Sequence, residues 1–268
     1  MIARLSQSEC KQLASLKIKK YRTQHQLFMV EGEKLLEEAL ISDIPVKAIV
    51  ALEEWWQKHP LKIDGVSCLT ASPQQLKYLS QMVTPPPVIT VVHIPHRPFG
   101  IKDLQHKITI ALENIQDPGN LGTIIRLADW FGIEHVVCSS DSVEAYNPKV
   151  IQSSMGSIFR VKVHYADLKL FIKEAISLHI PVLGTFLDGK NVYNEQLPNI
   201  GILVMGNESR GISAELAALI DRKITIVSTN ASQRRAESLN VAVAAAIVCA
   251  EWHRRIYWQG RQLSNTEI

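Results

Sequence analysis

Cysteine is scarce in this 268-residue chain: Cys10, Cys68, Cys138 and Cys249 are the only four, and no two form a C-x-x-C pair. That spacing suggests neither a zinc site nor a disulfide framework, and the cysteines read as reduced packing residues. Also lacking is any run near the roughly 20 apolar residues that span a bilayer. The first twenty residues are amphipathic and have no apolar block of a secretion signal, so a cytoplasmic protein with no membrane partner is expected. No G-x-G-x-x-G occurs, which removes the dinucleotide fingerprint, and no glycine-spaced loop ends in Gly-Lys-Ser/Thr, which removes a Walker-type phosphate loop. His93 and His96 form an H-x-x-H without a third ligand nearby, so no metal is expected. There is no internal repeat and no low-complexity tract.

A net excess of one charge sign is also nearly absent, at +3 from 29 basic and 26 acidic residues, but the distribution along the chain is uneven. Residues 1–27 carry Arg4, Lys11, Lys17, Lys19, Lys20 and Arg22 against a single acid, Glu9. A phosphate-binding face built on Lys17, Lys20 and Arg22 is one reading, and a solvated helix surface is an equal one.

Nearly half the chain is apolar, enough for two cores. The front part mixes helix and strand patterns: helices near 4–20 and 31–42, a strand at 46–52, a helix starting at Ser72, and a strand at 88–94. Ser72, Pro73 and Gln75 supply an N-cap, a first-turn proline and a capping-box partner. The adjacent Trp55 and Trp56 read as packing rather than as base-stacking residues. A Pro- and Gly-containing stretch at 96–106 reads as a linker between a small α/β domain, 1–95, and a second domain, 107–268. There the apolar runs 107–113, 134–139, 181–186, 201–206 and 223–228 lack polar alternation, as do strands of a parallel sheet covered by helices on both faces. A long alanine- and valine-rich helix, about 237–258, closes the chain.

Three strand exits in the second domain carry polar residues and glycines, where open α/β sheets place ligands. In ENIQDPGNLGTIIRLADWFG (113–132), Asp117, Pro118 and Gly119 make a turn, Asn120 is placed to cap a helix, and Arg126 follows six residues on. In GNESRGIS (206–213), Gly206 and Gly211 permit sharp turns and Glu208 puts a carboxylate at the strand tip. In ITIVSTNASQRRAESLNVAVA (224–244), a polar loop with Arg234 and Arg235 leads to Ser238, Leu239 and Asn240 at a helix start. Each stretch alone reads more readily as an ordinary turn or cap.

Together, in this order and spacing, they resemble the three motifs of the SpoU-type (TrmH-like) branch of the SPOUT RNA methyltransferases. The N-x-G-x-x-x-R-x-A pattern is met by Asn120, Gly122, Arg126 and Ala128, the G-x-E-x-x-G pattern by Gly206, Glu208 and Gly211, and S-L-N by Ser238, Leu239 and Asn240. The segment 153–163 is similar to the family's small-residue stretch before its next strand, and the spacing of SLKIKKYR, Phe28 and Glu31-Gly32 is similar to its small RNA-binding domain. The resemblance implies an α/β SPOUT domain with a parallel sheet and a deep trefoil knot, behind a small N-terminal α/β RNA-binding domain, and a homodimer. It implies methyl transfer from S-adenosylmethionine to a ribose 2′-hydroxyl, with ribosomal RNA favoured over transfer RNA. Arg126 would activate the hydroxyl, and Asn120, Glu208, Ser238 and Asn240 would hold it. Backbone groups around Gly206, Ile226 and Leu239, with Asn240, would hold the cofactor, and Arg234 and Arg235 would meet RNA phosphate. Where relatives have Ile-Pro-Met, this chain has Ile226-Val227-Ser228. The rival expectations are a non-catalytic RNA-binding or ribosome-assembly factor with the same fold, and a knotted enzyme that methylates a base.

Overall fold

A computed structural model describes residues 2–61, 63–104, 106–230 and 236–264. Two compact units emerge: residues up to Arg97 together with Glu144–Arg160, and Pro98–Val143 together with Val161 onward.

In the first unit, strands β1 (Ala3–Arg4), β2 (Leu27–Glu31), β3 (Val46–Ala51), β4 (Ser67–Thr70) and β5 (Val88–His93) form a mixed sheet in the order β1-β4-β3-β5-β2. Helices α1 (Gln7–Ser15), α2 (Lys19–His25), α3 (Glu33–Ile41), α4 (Glu53–Lys58) and α5 (Pro73–Leu79) connect and cover it. The capping box expected at Ser72 and Gln75 is present, and Ser6 and Glu9 make a second one on α1. The single helix read over 4–20 is instead a short strand and two helices broken at 16–18. Arg22 explains the break. Its guanidinium donates to the carbonyls of Leu16 and Lys17, both at 2.8 Å, which the helix would otherwise have consumed.

The other side of that guanidinium meets Glu144 in a two-pronged ion pair, Nη2 to Oε2 at 2.5 Å and Nε to Oε1 at 3.1 Å, with side chains 3% and 15% exposed. Arg22, expected on a phosphate face, is therefore buried and fully committed to the fold. Removing one partner of such a pair strands the other charge, so Arg22→Met should lower unfolding free energy in urea by about 3–5 kcal/mol. Lys17 is likewise occupied, donating to the carbonyls of Tyr78 (2.7 Å) and Ser80 (3.1 Å), whereas Lys19 and Lys20 are exposed. Trp55 and Trp56 are buried edge to face, centroids 5.1 Å apart, with indole N–H groups on Glu33 and the Leu69 carbonyl.

The second unit is built on β6 (Ile108–Leu112), α6 (Pro118–Trp130), β7 (His135–Ser139), β8 (Lys162–Ala166), α8 (Leu168–Ser177), β9 (Val182–Asn191), β10 (Gly201–Met205), α9 (Ala214–Ala217), β11 (Arg222–Thr225) and α10 (Val241–Ser264); α7 (Pro148–Ser154) lies in the chain between β7 and β8. Every pairing in its six-stranded sheet is parallel, in the order β11-β9-β10-β6-β7-β8. Apolar residues on both faces of the strands explain the lack of polar alternation. Ala111, Val137, Ile202 and Val204 pack with Leu168, Phe171 and Ile172 of α8 on one face. The intervening Ile110, Val136 and Leu203 are buried on the other, the side of the α6–α10 pair. Along α10 the buried set Val241, Ala245, Val248, Cys249 and Trp252 follows helical spacing, and the Trp252 indole N–H anchors to the Pro198 carbonyl at 2.5 Å.

Residues 144–160, which the sequence reading counted with the second domain, pack on the first sheet. Phe28 meets Tyr146 at 4.7 Å between ring centroids, and Arg160 pairs with Glu38. All four cysteines are free, and burial pushes the Cys138 and Cys249 thiols up to about 12, which leaves neither reactive.

Candidate active site

The carboxyl edge of the parallel sheet gathers three separate stretches. After β6 the chain turns at Asp117, whose side chain accepts the Asn120 N–H at 2.9 Å and caps α6, with Pro118 at the first helical position. Asp117, rather than Asn120, is the cap. That leaves the Asn120 side chain free to bridge. Its Nδ2 donates to Glu208 Oε1 at 2.5 Å, and its Oδ1 accepts from Asn240 Nδ2 at 2.8 Å. Asn120, Glu208 and Asn240, up to 120 residues apart in sequence, thus form one hydrogen-bonded chain.

Asn240 has a second task. Its Oδ1 accepts from the amides of Ala242 (2.9 Å) and Val243 (3.3 Å), capping α10, which starts at Val241 rather than near 237. The helix that anchors the far end of the chain is thereby fixed to the bridging amide of α6.

Glu208 is presented by a tight loop after β10. Asn207 and Gly211 exchange backbone hydrogen bonds (3.1 and 2.8 Å), and Gly211 sits at φ +67°, a conformation that favours glycine. Asn207 Oδ1 accepts from the amides of Ser209 and Arg210, and its Nδ2 donates to the carbonyl and side chain of Asn114 at 2.9 and 3.1 Å. Gly206 is forced by space. A Cβ there would stand 2.1–2.3 Å from the backbone of Gly211 and Ile212. Gly206→Ala should displace the loop, costing about 1–3 kcal/mol of stability and, by calorimetry, weakening S-adenosylmethionine binding at least about tenfold, while an unchanged isotherm would separate this loop from the cofactor.

Other expected residues are not drawn into the hydrogen-bonded chain. Arg126 is exposed on α6, and its guanidinium has no hydrogen bond or ion pair to another described residue. Six residues along an α-helix is about 9 Å of rise and two-thirds of a turn beyond a full one, so it projects from a different side than Asn120. Ser238 and Leu239 are exposed just before the Asn240 cap, Ile226 is half-buried just after β11, and Arg234 and Arg235 lie outside the described residues. The backbone groups of Gly206, Ile226 and Leu239 hydrogen-bond no other described residue, which leaves their donors and acceptors free at the strand ends and the helix entry. No group of three metal-ligating side chains occurs among the described residues.

Sequence reasoning passed over Asn114, Asn207 and Glu113. Asn114 adopts φ +53° at the β6 exit, and the Glu113 Oε2 accepts the Ser213 N–H at 2.8 Å, tying β6 to the loop after β10. An asparagine directly after a strand and glutamate was the available signal, since asparagine is enriched in left-handed conformations.

Comparison with known proteins agrees with this geometry. Residues 107–250 match the SpoU rRNA methylase family and residues 7–90 an MRM3-like substrate-binding domain. The chain is 34% identical to the Bacillus subtilis 23S rRNA (guanosine(2553)-2′-O)-methyltransferase RlmP over 87% of its length and 91% of the relative's. A structure from Porphyromonas gingivalis assigned to the TrmH family of RNA methyltransferases superposes with a TM-score of 0.86 at 38% identity, covering 94% of this chain and all of that one. An AdoMet-bound rRNA methyltransferase from Sinorhizobium meliloti superposes with a TM-score of 0.83 at 26% identity, covering 95% and 97%. With the three motif stretches joined at one sheet edge and the family matched over more than half its length, the chain belongs to the SpoU rRNA methylase family.

Proposed function

We propose that this protein methylates a ribose 2′-hydroxyl of ribosomal RNA with S-adenosylmethionine as donor, at the junction where Asn240, Asn120 and Glu208 meet. That hydrogen-bonded chain carries the reading, because caps and turns that merely stabilise their own helices have no reason to converge. The relatives' named activity on 23S ribosomal RNA points to the same substrate class.

Gly206, Ile226 and Leu239 hold the cofactor through backbone groups, with Asn240 beside them. When bound, S-adenosylmethionine supplies an electrophilic methyl group on its sulfonium. The protein's own work is to place the hydroxyl in line with that methyl and to assist loss of its proton. Asn120, Glu208, Ser238 and Asn240 position the nucleotide. Arg126 acts on the hydroxyl, either as a base aided by a nearby phosphate or as a phosphate clamp; the fixed charge and two-pronged fork of a guanidinium favour the clamp. Around this site the chain forms the family's deep trefoil knot and works as a cytoplasmic homodimer, with the second unit as catalytic domain and the first, including residues 144–160, as RNA-binding domain. Lys20, Arg234 and Arg235 contact RNA phosphate. Replacing both arginines with alanine should reduce the slope of log affinity against log salt by about 1.4–1.8.

Nucleoside mass spectrometry of ribosomal RNA after reaction with labelled donor tests the function. A ribose-methylated nucleoside is expected. A base-methylated product would transfer the protein to a different chemistry, and no cofactor binding by calorimetry would make it a scaffold.

A further inference from the structure

A cavity of about 580 Å³ opens at the carboxyl ends of β6, β7 and β8, apart from the residues of the proposed methylation centre but sharing a wall with it. It sits where strand order reverses: β6 leads one way to β7 and β8, while its other neighbour, β10, belongs with β9 and β11. Open α/β sheets place ligands at such a crevice. The shared wall is the loop after β10. Asn207 and Arg210 line the cavity while Glu208 turns to Asn120, so the loop serves both sites.

The lining defines the ligand. Ala166, backed by the nearly fully buried Leu168 (5% exposed) and Leu216 (2% exposed), supplies a small aliphatic patch on which a planar ring can rest. Two carboxylates keep one oxygen each for a ligand. Glu113 uses Oε2 on the Ser213 amide, and Asp167 uses Oδ1 on the amides of Lys169 and Leu170 at 2.9 and 3.1 Å; neither second oxygen has a hydrogen-bond partner among the described residues. Ionised carboxylates only accept, so they call for N–H donors on the ligand and repel a phosphate inside the cavity. Of the other two wall carboxylates, Glu215 is paired with Lys169 at 2.7 Å, and Asp141 is already spent on Ser139 and Asn114, hydrogen bonds that hold it below the usual carboxylate range. Arg210, exposed at the edge, has no partner for its guanidinium among the described residues and can take a phosphate outside.

We propose that this cavity captures an extruded guanine of the substrate RNA, its N1–H and N2 amino edge on Glu113 and Asp167 and its backbone phosphate on Arg210. Guanine fits because its imino and amino donors lie side by side on its Watson–Crick edge, so two acceptor-only oxygens can each take one of them. The inference rests on the ribose-methylation reading and adds to it a base-selective subsite that would hold the RNA chain in register beside the cofactor.

The test scans guanosine-to-inosine replacements, which delete only the N2 amino group, across a ribosomal RNA fragment methylated by the intact protein. One position should raise KM about tenfold with kcat nearly unchanged. Glu113→Gln combined with Asp167→Asn, which keep the oxygens that accept the Ser213 and α8 amides, should raise KM for unmodified RNA by a similar factor, and the inosine effect should then vanish. Cofactor affinity should not change. Uniform insensitivity to inosine, or an inosine effect that persists in the double variant, overturns the guanine site. Weakened S-adenosylmethionine binding in the double variant would instead assign the cavity to the cofactor's amino-acid end. Absence of any ribose methylation by the unaltered protein would sink the parent reading, an outcome distinct from these.

Discussion

Arg126→Ala should lower kcat for ribose methylation by about 10²–10⁴, the range spanned by loss of a positioned proton-transfer group or of its phosphate anchor, with the melting temperature unchanged. The second half follows from exposure. The guanidinium lies on the solvent side of α6 without a hydrogen bond or ion pair to any described residue, so its removal touches nothing that holds the fold. A charged residue that the fold does not use, six positions from the bridging asparagine, is most simply kept for a ligand. Arg126→Lys divides the two roles. A lysine retains a point charge for phosphate but not the two-pronged fork, and its lower intrinsic pKa makes it the easier base. If Arg126 clamps phosphate, Arg126→Lys raises KM for RNA and leaves kcat near normal. If it is the base, the pH–rate profile shifts to lower pH. Full activity of Arg126→Ala would remove this residue from the mechanism.

Much of the architecture was legible because local chemistry and tertiary context agree. The strand positions in the second unit follow from apolar runs buried on both faces, and the parallel pairing follows from helices separating them. The Ser72 cap was readable for the same reason, since its partner Gln75 is three residues away. The helix over 4–20 failed where a distant residue intervened. Its break depends on Arg22 being drawn inward by Glu144, 122 residues away, and no local pattern at Leu16–Ile18 announces that pair. The same burial turned a residue counted toward a basic surface into a structural one. Charge tallies along a sequence do not distinguish a lysine in water, such as Lys20, from an arginine spent on two carbonyls and a carboxylate.

The site was legible in its members and not in its wiring. Asn120, Glu208 and Asn240 stand out only as a set, because each has an ordinary local use. Asn240 does cap α10, and its amide nitrogen does something further. Asn207 escaped notice because its neighbours Gly206 and Glu208 carry the recognisable pattern, yet it ties the β10 loop to the β6 exit through Asn114. Within the polar loop before Ser238, residues 231–235, with Arg234 and Arg235 among them, lie outside the described residues, and the salt-dependence measurement tests their expected contact with RNA.

Asn120→Asp should be far more damaging at high pH than at low pH, and this contrast probes the wiring directly. The native amide donates to Glu208 and accepts from Asn240, so one group satisfies two partners of opposite demand. A carboxyl in its place still accepts from Asn240 but meets Glu208 with oxygen against oxygen at about the former 2.5 Å contact. Two carboxylates so close cannot both ionise readily, and the pair must take up one proton with a raised apparent pKa. Below that pKa the introduced carboxyl is protonated and donates to Glu208 as the amide did; above it, mutual repulsion pushes the loop after β10 away from α6. Turnover by Asn120→Asp should therefore be reduced about hundredfold at pH 8, the scale of a lost hydrogen bond to a charged group, and should recover by at least a factor of several relative to the unaltered protein as pH falls toward 5.5. Asn120→Ala lacks the proton-dependent mimic, so its deficit should stay flat across the same range. Coincident pH profiles for the two variants would mean that contact with Glu208 is incidental to turnover, and the convergence of the three loops would lose its claim to be the active site.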